Sequence, residues 1–334
     1  MSVIRQGPVT GDWTIFAEDR SGRPDDFKKA KEKKVLNDYE SGCPFCRGNE
    51  HMTPKEILTV GSEDNWQIRV VPNKFPILEP AGKTGMDIKQ SKAGPYLETG
   101  GTGSHEVIIE SPKHNDTIWK LETGQVESII RIYRERFIKL SESKSNRLIV
   151  IFRNHGNKAG TSLVHPHSQI VAVPFVPGLV KNRLYESERY FNDTGKCMYC
   201  EMIEYERRIK KRVIYENEGF IALAPYASAV PYNIWILPKK HQACFAEILE
   251  NDIKSLASVL KTIIRKLYEL LDDPDYNYII DSAPIKQADS SFYHWYLKIF
   301  PRLTTRAGFE IGSGINVNTV LPEKCAVLFR EADM

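Results

Sequence analysis

The feature that most constrains the fold of this chain is a duplication. Twice in 334 residues the sequence runs through the same order of parts. These are a Cys-x-x-Cys pair, a strand, a histidine after Ser-Pro-Lys or Leu-Pro-Lys-Lys, an amphipathic helix, a strand, and a histidine on a last strand. The first set supplies Cys43, Cys46, His114 and His165; the second supplies Cys197, Cys200, His241 and His294. Each is two thiols and two imidazoles, the donor set that zinc takes in closed tetrahedral structural sites. A Cys-x-x-Cys pair alone also serves as a redox couple, but the matched histidines favour metal, one or two structural zinc ions per chain. Pro174-Phe-Val-Pro177-Gly178 interrupts the pattern and divides the chain into residues 1–178 and 179–334.

Within the first set lies the stretch richest in chemistry. Arg147–Phe152 predicts a buried strand, Gly156 and Gly160 open a loop, and His165-Pro-His167-Ser-Gln169 leads into a second apolar strand, Ile170–Val173. Residues two apart on a strand share a face, so His165, His167 and Gln169 would project toward one ligand. The glycine-rich loop beside them presents backbone N–H groups that no Cβ screens, which suits a phosphate. The duplication then separates the two imidazoles. Where the first copy reads His165-Pro-His167-Ser-Gln169, the second reads His294-Trp-Tyr296-Leu-Lys298. The metal histidine is kept while the positions two and four further on change. His165 and His294 are therefore anchors, and His167 is the reactive group, one per chain.

No serine or cysteine nucleophile is paired with His167, which leaves its imidazole as a base or as a nucleophile toward phosphorus. A backbone carbonyl accepting from Nδ1 would fix the tautomer and leave the Nε2 lone pair free. Gly160, Ser162, Asn154 and the Gln169 amide are neutral donors suited to a phosphate whose charge grows on attack. No acidic cluster of the magnesium-binding kind stands beside them. Nucleotidyl or phosphoryl transfer through a covalent phosphohistidine follows.

Composition narrows the setting. With 46 Lys plus Arg against 43 Asp plus Glu, the net charge of +3 argues against a general nucleic-acid binder. No apolar run approaches the roughly 18 residues of a membrane span, and the start, Met-Ser-Val-Ile-Arg-Gln-Gly-Pro, lacks the apolar core of a signal peptide. The expected compartment is the cytoplasm, where paired cysteines serve metal before disulfide. Gln125–Leu140 and Ala246–Leu271 read as amphipathic helices. Lys28–Lys34 reads as a solvated charge run, and 81–103, with six glycines, as a long polar linker.

Taken together, His165-Pro-His167-Ser-Gln169, Cys43-Pro-Phe-Cys46, Val70-Val-Pro-Asn73-Lys-Phe75-Pro, Ser111-Pro-Lys-His114 and Gly308-Phe-Glu310 resemble the galactose-1-phosphate uridylyltransferase family, a branch of the histidine-triad superfamily. The resemblance spans nearly the whole chain. It implies an α+β fold of two histidine-triad-like halves, antiparallel sheets flanked by helices, usually in a homodimer. It also implies a ping-pong reaction in which UDP-glucose uridylylates the middle histidine, glucose 1-phosphate leaves, and galactose 1-phosphate takes the uridylyl group. By match of motif, His167 would be the nucleophile and Gln169 the amide holding the nucleotidyl phosphate. Asn154, Gly160 and Ser162 would contact phosphates, and Asn73 and Phe75 the nucleoside. Arg20 and Arg23 would meet the nucleotide, in the same or the partner subunit, and Glu310 the hexose hydroxyls. Cys197 and Cys200 with His294-Trp-Tyr-Leu-Lys-Ile-Phe-Pro resemble instead a two-zinc branch that includes ADP-glucose phosphorylases. Asn316 also stands where uridylyltransferases commonly have a glutamine. Histidine-triad hydrolases place a third histidine where Gln169 stands, which disfavours water as the acceptor.

Overall fold

The computed structural model of the chain describes residues 2–17, 36–62, 64–80 and 91–332. Arg20, Arg23, the Lys28–Lys34 run and residues 81–90 of the expected linker lie outside them. In chain order the first half holds β1 (Val3–Gln6), β2 (Trp13–Phe16), β3 (Leu58–Ser62), β4 (Asn65–Pro72), β5 (Ser91–Ala93), β6 (Tyr96–Glu98), β7 (Ser104–Ile109), α1 (Thr123–Ser141), β8 (Leu148–His155) and β9 (His167–Val173). The second half holds α2 (Gly178–Thr194), α3 (Met198–Ile209), β10 (Val213–Glu216), β11 (Phe220–Leu223), β12 (Ile234–Pro238), α4 (Glu250–Leu271), β13 (Tyr276–Asp281), β14 (Tyr296–Pro301), α5 (Gly308–Ser313), β15 (Asn316–Asn318) and α6 (Pro322–Glu331). None of these helices is long and apolar enough to cross a membrane.

Both long helices form where apolar residues recur every three or four positions. In α1 the stripe Val126, Ile129, Ile130, Tyr133, Phe137 and Leu140 is buried. In α4 it runs from Ile253 through Leu256, Leu260, Ile263 and Leu267 to Leu271. Glu250 and Asp252 sit at the positive end of α4. At its other end Asp272 and Asp273 adopt φ of 53° and 56°, and the turn runs into Pro274. Each fully buried Leu or Ile of these stripes contributes about 1.5–3 kcal/mol.

The duplication becomes a single sheet. Ten strands pair in the order β10-β11-β12-β14-β13-β8-β9-β7-β4-β3, every pairing antiparallel. Each half contributes the same five-strand arrangement, with its long helix between the third and fourth strands in sequence. The halves meet where β8 pairs with β13, Tyr276 opposite His155 and Ile280 opposite Ile151. That junction satisfies the backbone edge each half would otherwise expose. β1 and β2 form a small separate sheet, completed by β15 running parallel to β2.

One face of the large sheet is sealed by α1 and α4, in a core that includes Ile108, Ile151, Ile170, Tyr278, Ile280 and Leu297. Beneath it Glu110 and Arg153 form a buried ion pair at 2.9 Å. Tyr133 donates to Glu110 at 3.0 Å and lies 2.6 Å from the hydroxyl of Tyr278, so this buried polar network crosses between the halves. The opposite face carries two smaller clusters, one around Cys43, Phe45 and Cys46 and one around Cys197 and Tyr199. Between them the central strands alternate. Val150, Phe152 and Asn154 on β8 and Asn277 and Ile279 on β13 are half-buried, as are Lys298 and Phe300 on β14, while their neighbours turn into the core. A ligand-accessible row therefore runs along the seam of the duplication.

Candidate active site and metal centres

The two thiol and imidazole sets assemble as the duplication demands. In each, all four ligand atoms lie within 4.8 Å of one another. Cys46 Sγ stands 3.6 Å from Nδ1 of both His114 and His165. In the second set Cys200 Sγ stands 3.4 Å from His241 Nδ1 and 3.7 Å from His294 Nδ1. A tetrahedral ion with metal–sulfur bonds of about 2.3 Å and metal–nitrogen bonds of about 2.0–2.1 Å gives an edge of about 3.6 Å. The outer nitrogens are occupied in matching fashion. His165 Nε2 donates to the Ser111 carbonyl at 2.7 Å, and His294 Nε2 donates to the Pro238 carbonyl at 2.9 Å. Each bond fixes the tautomer that leaves Nδ1 for a metal. Burial pushes the His165 pKa down to about 4, so the ring is the neutral form a metal binds. Either cluster could hold a metal ion.

Neither anchor histidine lies on its strand. β9 begins at His167 and β14 at Tyr296, so His165 and His294 each stop two residues short, turned to their cysteines. The accessible row thus starts at His167, and the expectation that His165 shares its ligand is corrected. His167 is 7% exposed. Its Nδ1 donates to the His165 carbonyl at 2.8 Å, the backbone bond expected of a ring whose Nε2 lone pair is to remain free. Phe45, from the Cys43–Cys46 knuckle, packs edge-on against it with ring centroids 5.3 Å apart. Burial lowers the His167 pKa, opposed by the His165 carbonyl and the carboxylate of Glu110, which keeps the ring neutral near pH 7.

Around this ring the strands bring neutral donors. Gln169 follows on the same face of β9. Asn154, on the adjoining β8, has its Oδ1 occupied by Asn277 Nδ2 of β13 at 2.8 Å, and the same Nδ2 group donates to the Ala159 carbonyl at 2.8 Å. The second half therefore holds both Asn154 and the glycine loop. At Gly156, φ is 83° and an added Cβ would meet the Asp275 carboxylate at 2.3 Å, so only glycine fits. Asp275 accepts from the Lys158 backbone N–H at 2.7 Å. Gly160, with φ of 87°, and Ser162 lie exposed in the same loop.

Asn73 lies just past β4, its backbone N–H donating to the His105 carbonyl at 2.8 Å. Its side chain reaches toward His105 and Gln169, and its Oδ1 accepts from the Phe75 backbone at 2.9 Å. Phe75 itself is 81% exposed beside them. Glu310 accepts from the Ala307 backbone N–H at 3.1 Å and caps α5; among the described residues no hydrogen bond joins it to the row. His105 and Asn277 belong to this neighbourhood and carry no sequence signal, for each is one polar residue in an ordinary strand pattern. A surface hollow of about 910 Å³ lies elsewhere, against Tyr190, Met198 and Arg212, and shares no wall with the row.

Among the described residues the second half holds no equivalent of this ring and amide. Tyr296 and Lys298 stand at the positions of His167 and Gln169, and both are bound to buried Asp281, at 3.3 and 3.1 Å. Arg183 from α2 pairs with the same carboxylate at 3.0 Å. Burial would raise the Asp281 pKa, but Arg183 and Lys298 outweigh it and hold the carboxyl ionised. These groups neutralise one another rather than await a ligand.

Comparisons with known proteins agree with this architecture. A family model described as galactose-1-phosphate uridyl transferase, N-terminal domain, matches residues 1–177, and the corresponding C-terminal domain model matches residues 183–315. The ADP-glucose phosphorylase of Arabidopsis thaliana is 37% identical over 334 residues, covering 99% of this chain and 93% of that protein. The galactose-1-phosphate uridylyltransferase of Thermotoga maritima is 29% identical over 343 residues, covering 100% of this chain and 99% of that protein. A crystal structure of an ADP-glucose phosphorylase from Arabidopsis thaliana with bound ADP-glucose matches with a TM-score of 0.85 and 34% identity, over 100% of this chain and 99% of that one. With both domain models matched in order, on a fold that repeats one sheet-and-helix unit about a single seam, the chain belongs to the galactose-1-phosphate uridylyltransferase family.

Proposed function

We propose that the chain transfers a nucleotidyl group from a nucleotide sugar to a phosphate-bearing acceptor through a covalent adduct on His167. The observation that carries this reading is the His167 ring itself. Its Nδ1–H is tied to the His165 carbonyl, and the amides of Gln169 and Asn154 stand nearby. In the first step the Nε2 lone pair attacks the α-phosphorus, an N–P bond forms, the bond to the bridging oxygen breaks, and hexose 1-phosphate leaves. The positive charge that develops on the ring is stabilised by the carbonyl at Nδ1 and by Glu110. Negative charge growing on the phosphoryl oxygens meets the amide N–H groups and the glycine loop. In the second step an oxygen of the acceptor phosphate attacks phosphorus from the opposite side and the N–P bond breaks.

The residues of each cluster suit zinc, which with four protein ligands supplies a rigid cross-link and no open coordination position. On this reading Cys43, Cys46, His114 and His165 hold the backbone whose carbonyl orients His167. Adenylyl transfer from ADP-glucose, with phosphate as acceptor, is the favoured form, supported by 37% identity to ADP-glucose phosphorylase over nearly the whole chain. Uridylyl transfer from UDP-glucose to galactose 1-phosphate, the first choice on sequence motifs, is the second form, supported by 29% identity to a uridylyltransferase. Incubation with each nucleotide sugar, followed by intact-mass measurement, separates them. An AMP adduct with ADP-glucose that phosphate discharges is expected. A UMP adduct discharged by galactose 1-phosphate selects the second form, and no adduct with either rejects the enzyme reading.

Asn277 offers a milder test of the seam. Asn277→Ala frees the Asn154 carbonyl and the loop, and is expected to slow adduct formation about tenfold, the weight of one orienting hydrogen bond. Metal content should not change; single-turnover rates and metal analysis check both.

A further inference from the structure

Within the nucleotidyl-transfer reading, on which this rests, we propose that His105 is a positioning residue that locks the side-chain amide of Gln169 with its N–H groups turned to the ligand. An amide is nearly symmetrical in shape, and a half-turn exchanges its oxygen for its nitrogen. With the nitrogen forward Gln169 donates to a phosphoryl oxygen; with the oxygen forward it repels one. Something must choose, and the strand β9 that carries Gln169 does not.

The choice is made by proton bookkeeping around the His105 ring, which is only 9% exposed. The Ile77 backbone N–H donates to His105 Nδ1 at 3.3 Å. Nδ1 is then the acceptor nitrogen, and in a neutral ring the proton must sit on Nε2. Burial keeps the ring neutral by lowering its pKa, although Gln169 pulls the other way. Nε2 stands 2.7 Å from Gln169 Oε1, so a protonated Nε2 requires an oxygen there and excludes the flipped amide. Asn73 adds a second, weaker constraint of the same sign. Its Oδ1 is held by the Phe75 N–H at 2.9 Å, which turns its Nδ2 to a point 3.0 Å from His105 Nε2 and 3.5 Å from Gln169 Oε1. This N–H group competes with the Ile77 N–H for the one lone pair of the neutral ring, and with that pair on Nδ1 it donates to Oε1 instead. Among the described residues no hydrogen bond ends on the Gln169 amide nitrogen, which leaves both its protons for a ligand. A chain of orientation thus runs from the Ile77 backbone through His105 to Gln169.

The test is a double-mutant cycle read in the single-turnover rate at which His167 takes up nucleotide. His105→Ala removes the donor, and His105→Phe removes it while keeping ring volume, which guards against a simple packing defect. Both are expected to slow adduct formation by about 10–100-fold, the usual consequence of freeing a group that orients a reacting one. Metal content should be unchanged. Combined with Gln169→Ala, neither substitution should cost anything further, because a residue that acts only through Gln169 has nothing left to orient. Wild-type rates in His105→Phe, or a loss that multiplies with that of Gln169→Ala, would overturn the assignment. If the wild-type chain takes up no nucleotide, the functional reading falls and His105 with it. A labelled wild type beside an unaffected His105→Phe sinks His105 alone.

Discussion

His167→Ala is expected to abolish nucleotide transfer, by about 10⁴-fold or more, while both clusters keep their metal. Loss of a covalent nucleophile has effects of that order, because the remaining donors bind the ligand but form no bond to phosphorus. The metal should survive because His167 contributes no ligand atom: its Nδ1 is spent on the His165 carbonyl. Some stability is lost with the ring that packs on Phe45, about 1–2 kcal/mol. Metal analysis beside single-turnover kinetics checks both halves of the statement. Metal loss equal to that of an anchor mutant would show that His167 serves the cluster and not the reaction.

His165→Ala is expected to do the converse, halving the metal content of the chain and destabilising it. The position is fully buried, its Nδ1 faces Cys46 and its Nε2 is satisfied by Ser111, so no neighbouring group can replace it. Losing a structural metal costs about 4 kcal/mol or more, a fall in Tm of roughly 6 °C or more for a chain of this length. Activity should also drop, because the His165 carbonyl and the Phe45 knuckle orient His167. The second cluster is built from its own strands and should keep its ion. Thermal unfolding with per-chain metal stoichiometry separates these outcomes; a variant that keeps full metal would remove His165 from the ligand set.

Much of this was legible in the sequence because the duplication prints the same residues twice. Both Cys/His clusters, the two long helices and the strands around His167 follow from spacing alone. Other parts depend on pairings that spacing does not encode. The sheets of the two halves join through β8 and β13, a register that no local pattern announces. The first strand β1 and the late strand β15 are too short to stand out, and they matter only because β2 lies between them. α3 starts at Met198, inside the second cysteine pair, so its first turn reads as a metal knuckle. His105 and Asn277 escaped for the same physical reason. Each acts across strands on a partner distant in sequence, 64 residues away for Gln169 and 123 for Asn154. Glu310 is a motif residue whose carboxylate also caps its own helix.

Under the proposed function the two histidines of one Pro-linked triplet divide the work, the first anchoring an ion and the second carrying the nucleotide. The most direct test of this division is to trap the chain with ADP-glucose or UDP-glucose in the absence of acceptor, digest it, and map the adduct by fragmentation mass spectrometry. A single acid-labile nucleotide is expected on the peptide containing His167, on that residue alone and with none on the second half. An adduct on another residue, or an unmodified His167 under conditions where the chain turns over, would contradict it.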